Sequence, residues 1–335
     1  MNSVFPYLPL FTSTLILGTI MSLSSNQWIY IWMGLEINLL SFIPIMISSS
    51  TNQETEGAIK YFLAQAMGSS MLLLGAINLL FSPLLFTGQK TSCLFILLGL
   101  MTKLGMAPCH FWFPSVMSSL PWLSCLILST WQKIIPMLII IFILSPLNNQ
   151  AFMAPAALSG LVGGLGGLNQ TQLRPLLAYS SIGHMGWMYA VSSLSSTTSI
   201  TYLIVYMLII ASIMYIMIKL PSKSVKQLNS MTSLPTLILT PLMLTLLSLG
   251  GLPPLTGFFP KWISMECLMS NNAWLIAMIL VIGSLMNLYY YLNVFFSMYL
   301  KSSTNYMPQP SYSTYSMQLM SMMTCWSLPL AMLLM

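Results

Sequence analysis

Apolar residues occur along this chain in stretches of about 20, separated by short clusters of Pro, Asn, Ser and Gly. An α-helix of that length crosses roughly 30 Å of hydrocarbon. Strands of outer-membrane barrels instead alternate apolar and polar residues over about ten positions, and this chain shows no such alternation. The pattern predicts about 11 transmembrane helices, approximately at 4–23, 28–47, 58–81, 91–112, 122–144, 152–168, 175–195, 200–219, 235–264, 273–300 and 316–334.

Composition agrees with an all-α integral membrane protein. Only 4% of the 335 residues are charged and 57% are hydrophobic, whereas soluble domains carry roughly 25% charged residues. The net charge of +6 comes from scattered basic residues, so no nucleic-acid surface is expected. Because the loops are short, we predict a single membrane domain over 1–335, made of N-terminal helices in 1–57, a repeat core in 58–300 and a C-terminal helix in 301–335.

Basic residues in the short loops predict the orientation, since Lys and Arg favour the cytoplasmic or matrix side. If the predicted spans are right, the side opposite the basic loops carries only Lys90. The basic side carries Lys60, Arg174, Lys219, Lys223, Lys226 and Lys301. The N-terminus is therefore expected on the matrix-like side, and an odd number of spans places the C-terminus across the membrane. The first apolar run, 4–23, has no basic segment before it and is expected to be retained.

Apart from the basic residues assigned to the loops, four charged residues fall inside predicted spans: Glu36, Lys103, Lys133 and Lys261. A charge at the bilayer centre costs at least about 2.5–3.5 kcal/mol, so such residues usually face a protein interior or a hydrated cavity. Static ion pairing is one alternative, and snorkelling of Lys261 toward the interface is another. Three lysines cannot all pair statically with one carboxylate, which favours groups that exchange protons.

Two of these lysines lie beside helix-breaking residues. Lys103 begins KLGMAPCHFWFP (103–114), and Lys261 ends LSLGGLPPLTGFFPKW (247–262). Proline removes a backbone donor, and free carbonyls at membrane depth are tolerated only when they are buried in protein or face water. One broken helix in each half of the chain is compatible with two inverted five-helix repeats, as in transporters with ion sites at the breaks. A simple proline kink is the alternative for either break.

Other candidate groups are fewer. His110 and His184 can relay protons near neutral pH or form ordinary core hydrogen bonds. The five cysteines lack metal-ligand spacing and Asp is absent, so neither a metal site nor a bound cofactor is expected in this chain. The glycine cluster at 160–170 predicts close helix packing. The remaining carboxylates are expected to be solvated: Glu54, Glu56 and Glu266.

Three segments carry a resemblance to a known family: KLGMAPCHFW (103–112), TQLRPLLAYSSIGHMGWM (171–188) and LSLGGLPPLTGFFPKW (247–262). Together they resemble the subunit 2 family of mitochondrial complex I. The resemblance implies an antiporter-like fold in a proton-pumping NADH:ubiquinone oxidoreductase of the mitochondrial inner membrane. It also implies that NADH, FMN, iron–sulfur clusters and ubiquinone bind to partner subunits. The expected neighbours are other antiporter-like subunits of the membrane arm and membrane lipids.

The resemblance also assigns roles to the charged residues. Glu36 would pair with Lys103, Lys133 would be the central relay, and Lys261 would be the distal site toward a neighbouring subunit. Ser115 occupies a position where many relatives have an acid, so no proton role is expected there. Two other functions stay open: a subunit of a multisubunit cation/proton antiporter, and a non-pumping membrane scaffold.

Overall fold

A computed structural model of the chain describes residues 8–48, 51–81, 86–144, 153–219 and 236–301. Every regular element within these ranges is a helix, which confirms the prediction of an all-α fold. The predicted eleventh span, 316–334, and almost all of the predicted C-terminal segment 301–335 lie outside the described residues. The number of 11 spans is therefore not confirmed.

The chain divides into two compact units, residues 1–140 and 141–335. The described helices of the first unit are α1 Leu8–Ser24, α2 Trp28–Met46, α3 Asn52–Phe81, α4 Phe86–Leu104, α5 Trp112–Ser119, α6 Trp122–Ser129 and α7 Trp131–Ile139. A π-helical turn, Ile140–Leu144, follows α7. The described helices of the second unit are α8 Met153–Leu168, α9 Leu173–Ser192, α10 Ser196–Lys219, α11 Thr236–Gly250, α12 Phe258–Ser270 and α13 Trp274–Lys301. The predicted segments 1–57, 58–300 and 301–335 stay a prediction.

Several helices have the length and composition of membrane spans. Five described segments qualify: Trp28–Met46, Asn52–Leu79, Trp122–Phe142, Ser196–Lys219 and Trp274–Ser297. Shorter apolar helices accompany them, including Leu8–Ser24 and Met153–Leu168. Large apolar side chains on these helices point outward, among them Leu17, Met67 and Leu275. Outward-facing apolar side chains in such numbers fit a surface covered by lipid rather than water.

Small residues allow the helices of the first unit to pack backbone against backbone. A Cβ placed on Gly34 of α2 would lie 2.8 Å from the carbonyl oxygen of Gly18 on α1. A Cβ on Gly99 of α4 would lie 2.7 Å from the carbonyl oxygen of Gly68 on α3. Membrane helices commonly associate through such small residues, because lipid supplies no hydrophobic drive between helices.

Helix α9 is the centre of the second unit, and nearly all of its residues are buried. The glycine cluster of α8 packs directly against it, since a Cβ on Gly163 would lie 2.5 Å from the backbone nitrogen of Gly183. The same cluster meets α13, where a Cβ on Gly283 would lie 2.4 Å from the carbonyl oxygen of Gly160. The predicted close packing of this glycine segment is confirmed.

Both predicted helix breaks are present. Helix α4 ends at Leu104, and Gly105 follows with a φ of +69° before α5 begins at Trp112. Helix α11 ends at Gly250, and Gly251 has a φ of +85° before α12 begins at Phe258. Positive φ is readily adopted by glycine and is costly for other L-residues. Each break is therefore encoded by a glycine directly after the last helical residue.

A third break, at Thr130, was not predicted. The predicted span over 122–144 corresponds to Trp122–Phe142, but it is interrupted, because α6 ends at Ser129 and α7 begins at Trp131. The Thr130 hydroxyl donates to the Leu126 carbonyl at 2.6 Å, a side-chain bond that competes with the helical pattern and bends helices. Pro136 in α7 adds to this irregularity, since it has no N–H for the Gln132 carbonyl.

Candidate functional site

A small polar cavity in the first unit brings together two of the predicted lysines, Lys103 and Lys133. Its volume available to the centre of a water molecule is about 10 Å³, which is close to the minimum for one water. The polar residues of its lining are Asn38, Tyr61, Gln65, Lys103, Gln132 and Lys133. These side chains come from α2, α3, α4 and α7, and residues of α5 and α6 complete the lining. The cavity therefore forms only when six helices pack together.

Lys103 lies in the last turn of α4 and is buried, with 6% of its surface exposed. Glu36 on α2 is half-buried and close enough to interact electrostatically with Lys103 and with Tyr61. No direct salt bridge joins Glu36 to Lys103 among the described residues. Gln65 of α3 donates to the backbone carbonyl of Lys103 at 3.2 Å. The carboxylate therefore acts on this lysine electrostatically, without a direct ion pair between the two side chains.

Lys133 lies in the first turn of α7 and is 3% exposed. Its ammonium nitrogen is 4.6 Å from the ring centroid of Phe113 on α5, a distance at which the ring face attracts a cation. Phe113 is held in turn by an edge-to-face contact with Trp112, whose indole nitrogen donates to the Thr102 carbonyl at 3.0 Å. The break after Lys103 thus positions the aromatic ring that faces Lys133.

An amide pair connects the helix of Glu36 with the helix of Lys133. Gln132 of α7 donates from Nε2 to Oδ1 of Asn38 on α2 at 3.1 Å, and Asn38 is buried. Sequence reasoning missed both residues, and it also missed Gln65. The signal that could have identified these residues is an uncharged amide inside an apolar span. An amide is a weaker signal than a charge, but an amide without a partner in lipid still costs free energy.

Lys261 in the second unit binds the end of a broken helix. Its ammonium nitrogen donates to the carbonyl of Gly250 at 2.8 Å and lies 3.4 Å from the carbonyl oxygen of Leu249. These carbonyls end α11, where the helix leaves acceptors unsatisfied and its dipole is negative. The side chain is buried, so it does not snorkel to an interface. The alternative of a snorkelling lysine is wrong.

The two histidines have different surroundings. His110 lies in the break after α4 rather than on that helix, so its spacing from Lys103 does not place it on the same helical face. Its Nδ1 is 3.1 Å from the carbonyl oxygen of Pro108. His184 is buried at the middle of α9, and its Nδ1 is 2.9 Å from the hydroxyl oxygen of Tyr202 on α10.

The other sequence-based expectations concern the remaining carboxylates, Ser115 and metal binding. Glu54 is buried, so the expectation that it is solvated is wrong, whereas Glu56 and Glu266 are exposed. Glu54 lies in the first turn of α3, where the helix dipole favours a carboxylate. Ser115 donates to the Trp112 carbonyl at 2.8 Å, a local helical bond. Within the described residues, no group of three or more His, Cys, Asp or Glu side chains could hold a metal ion.

This arrangement of buried lysines beside broken helices can be compared with known proteins. A family model described as NADH:quinone oxidoreductase/Mrp antiporter, TM, matches residues 25–287. The chain belongs to this family. The matched range includes Glu36, Lys103, Lys133 and Lys261, so all four charged residues lie within the part of the chain that the family shares.

Individual proteins are also similar to this chain in sequence or in fold. The chain is 45% identical over 293 residues to the NADH-ubiquinone oxidoreductase chain 2 of Lumbricus terrestris, covering 87% of each protein. Its fold is similar to a chain of respiratory complex I from Thermus thermophilus with bound aureothin, with a TM-score of 0.85 and 24% identity over 98% of this chain and 79% of that one. It is also similar to a chain of the Mrp complex from Dietzia sp., with a TM-score of 0.75 and 17% identity over 90% of this chain and 61% of that one. The antiporter-like fold expected from the sequence is therefore confirmed.

Proposed function

We propose that this chain is a core membrane subunit of proton-pumping NADH:ubiquinone oxidoreductase, complex I. The observation that supports this proposal most directly is that three buried lysines lie at or beside interruptions of the helices. Lys103 precedes Gly105, Lys133 follows Thr130, and Lys261 binds the carbonyls that end α11. Ionisable groups at such depth mark ion paths in membrane proteins. The 45% identity to a protein named NADH-ubiquinone oxidoreductase chain 2 supports this assignment of the path.

In the first unit, Glu36 and Lys103 form the variable charge pair. When a proton leaves Lys103, the positive charge that Glu36 stabilises is lost, and when a proton returns, that charge is restored. Lys133 lines the same cavity as Lys103, and about one water fits between the polar side chains. In this proposal, water in the shared cavity carries the proton from Lys103 to Lys133.

Lys133 is then the central relay. The face of the Phe113 ring stabilises the ammonium form, while burial disfavours it because a charge is costly in a low-dielectric interior. The two effects oppose each other. A small change in the charge of the Glu36–Lys103 pair is then enough to favour release or uptake of the proton at Lys133.

Lys261 is the distal site in the second unit. The carbonyls of Gly250 and Leu249 stabilise its ammonium form, as helix C-terminal carbonyls do for cations. His110 and His184 are subsidiary relay candidates. We propose that the domain 1–335 works as one proton-translocating unit, with 1–57, 58–300 and 301–335 as its parts and two inverted five-helix repeats at its core.

The chain supplies the membrane path and no redox centre of its own. NADH, FMN, iron–sulfur clusters and ubiquinone belong to partner subunits in this proposal, and neighbouring antiporter-like subunits and lipids surround the chain. The location is the mitochondrial inner membrane, with the N-terminus in the matrix and the C-terminus in the intermembrane space. The basic loop residues support this orientation.

The test is replacement of Lys133 by Met in the assembled complex, with Lys60→Met as the matched control. Lys60 is exposed on α3, so the control removes a lysine outside the proposed path. Lys133→Met should preserve assembly and lower both the proton-to-electron ratio and coupled turnover, because Met cannot carry a proton. A normal proton-to-electron ratio in Lys133→Met would refute the role of this lysine.

A subunit of a cation/proton antiporter is the second candidate, and the fold similarity to the Mrp complex favours it. Sodium-dependent proton exchange by the isolated chain without NADH would support that candidate. A non-pumping scaffold is the third. Replacing each lysine in turn would then change stability or nothing, and never proton transfer alone.

A further inference from the structure

The helix breaks of the two units have the same backbone arrangement. Each break begins with a glycine of positive φ, Gly105 or Gly251. In both, prolines follow three and nine residues after the glycine, and the next helix begins seven residues after it. The glycine N–H donates to the carbonyl three residues earlier, to Thr102 at 3.2 Å and to Ser248 at 3.0 Å. The two breaks can therefore be compared position by position.

In the first break, neutral side chains bind the carbonyls that end α4. Gln65 of α3 donates from Nε2 to the carbonyl of Lys103 at 3.2 Å. The indole nitrogen of Trp112, the first residue of α5, donates to the Thr102 carbonyl at 3.0 Å. Side-chain donors are one way to satisfy the carbonyls that a helix end leaves without partners. Neither an amide nor an indole gives up its proton near neutral pH, so these two hydrogen bonds do not depend on protonation.

One face of α3 positions both the donors and the lysine. Tyr61, one turn before Gln65, contacts the ring of Trp112 edge-to-face, with ring centroids 5.8 Å apart. Gly68, three residues after Gln65, leaves room for the stem of Lys103, because a Cβ on Gly68 would lie 3.2 Å from Cγ of that lysine. Helix α3 therefore fixes the end of α4 and the stem of Lys103 together.

In the second break, a cation binds the equivalent carbonyls. The Leu249 carbonyl corresponds in position to the carbonyl of Lys103, and its oxygen lies 3.4 Å from the Lys261 ammonium nitrogen. The next carbonyl, that of Gly250, accepts from the same ammonium at 2.8 Å. Ser115 occupies the position of Lys261 in the first break and donates within its own helix. Only in the second break is a lysine of the proposed path bound to the helix end.

The Lys103 ammonium is not bound in this way. Among the described residues it forms no hydrogen bond with protein, and the side chain lines the polar cavity together with Lys133. A lysine in the last turn of a helix can bind the last carbonyls, and the helix dipole favours that contact. Because Gln65 and Trp112 already donate to these carbonyls, Lys103 gains little by turning toward them.

We propose that Gln65 and Trp112 are positioning residues of the proton path, which satisfy the end of α4 so that the Lys103 ammonium stays at the cavity. This proposal rests on the proposed proton-translocating function and adds two residues to it. When either donor is removed, a carbonyl at the end of α4 loses a partner. The Lys103 ammonium then turns to that carbonyl, as Lys261 does in the second unit, and no longer exchanges protons at the cavity.

The experiment compares Gln65→Met and Trp112→Phe with matched controls in the assembled complex. Methionine is similar in size to glutamine and has no N–H donor, and phenylalanine keeps an aromatic ring without the indole N–H. Gln53→Met makes the first change at an exposed position of the same helix. Trp274→Phe makes the second change at an exposed position of α13. The measurements are the amount of assembled complex, the proton-to-electron ratio and coupled turnover.

The decisive result is how each effect depends on Lys103, so every variant is measured alone and together with Lys103→Met. Alone, Gln65→Met and Trp112→Phe should assemble, lower the proton-to-electron ratio and lower coupled turnover about tenfold, since a reacting group displaced by about 1 Å can cost about 10²-fold. Combined with Lys103→Met, they should add no further loss, because they act through this lysine. Both control variants should match the parent.

Three results overturn the proposal. If Lys103→Met lowers the proton-to-electron ratio while Gln65→Met and Trp112→Phe keep it normal, the positioning role is refuted and the function of the chain stands. If Lys103→Met also keeps a normal ratio, the role of Lys103 is refuted and the positioning role with it. A further loss on top of Lys103→Met would show that the donors act independently of this lysine.

Failure to assemble also has a defined meaning. If one of the two variants does not assemble, the other decides in the same two backgrounds, because each removes one donor from the same helix end. If neither assembles while both controls do, the two donors serve folding rather than the positioning of Lys103, and the proposal is wrong.

Discussion

The adjacent glycines Gly250 and Gly251 should respond in opposite ways to the same substitution. Gly251 has a φ of +85°, and a Cβ on it would lie 2.9 Å from the Lys261 ammonium nitrogen. Gly250 ends α11 without a positive φ, and a Cβ on it would meet its nearest neighbours at 3.7 Å. An added methyl group is therefore expected to destabilise the protein at Gly251 and to be tolerated at Gly250.

The expected cost of Gly251→Ala has two parts. Left-handed backbone conformation costs about 1–2 kcal/mol for a residue with a Cβ. The new methyl group also displaces the Lys261 side chain from the Gly250 carbonyl, and a hydrogen bond from a charged donor contributes about 1.5–3 kcal/mol. The sum is about 2.5–5 kcal/mol. Gly250→Ala should stay within about 1 kcal/mol of the parent, because alanine is the better residue in a helix.

Both variants are measured in the assembled complex by the temperature of half-inactivation and by the rate of proton pumping. Gly251→Ala should lower both quantities, since it weakens the backbone and moves the proposed distal site. Gly250→Ala should match the parent in both. Equal behaviour of the two variants would refute this account of how the break holds Lys261.

Three further predictions concern the packing of each unit. Gly163→Ala should reduce the amount of assembled complex, because its Cβ would lie 2.5 Å from the backbone nitrogen of Gly183. Backbone cannot move aside as a side chain can. Quantitative native gels measure the amount of assembled complex. Gly105→Ala should lower the temperature of half-inactivation, since its φ of +69° alone costs about 1–2 kcal/mol with a Cβ present. Asn38→Leu and Gln132→Leu should each destabilise the complex, while the double variant loses less than the sum by about 0.6–1.7 kcal/mol, as found for hydrogen bonds between membrane helices; strict additivity would mean that the 3.1 Å amide bond contributes nothing.

Much of the candidate site could be predicted because charge in lipid is expensive. Lys103, Lys133 and Lys261 stand out from apolar surroundings in any reading of the sequence, and all three are buried. The breaks beside Lys103 and Lys261 were predictable from other local signals, because Pro removes a helical hydrogen bond and Gly readily adopts the positive φ that ends a helix. The Thr130 break was not predictable in this way, because threonine is common within helices of membrane proteins and bends them only through a local side-chain bond.

The sequence by itself determined that the chain lies in a lipid bilayer, that its fold is all-α, and which charged residues lie within the membrane. Each of these follows from local composition and from the cost of polar groups in hydrocarbon. Only the tertiary structure decided which polar groups meet. Asn38 and Gln132 are 94 positions apart, and Gln65 and Lys103 are 38 apart. Apolar helices carry no local signal for their partners, since lipid and protein are equally apolar, so pairing depends on small residues and shape that emerge only when the helices pack.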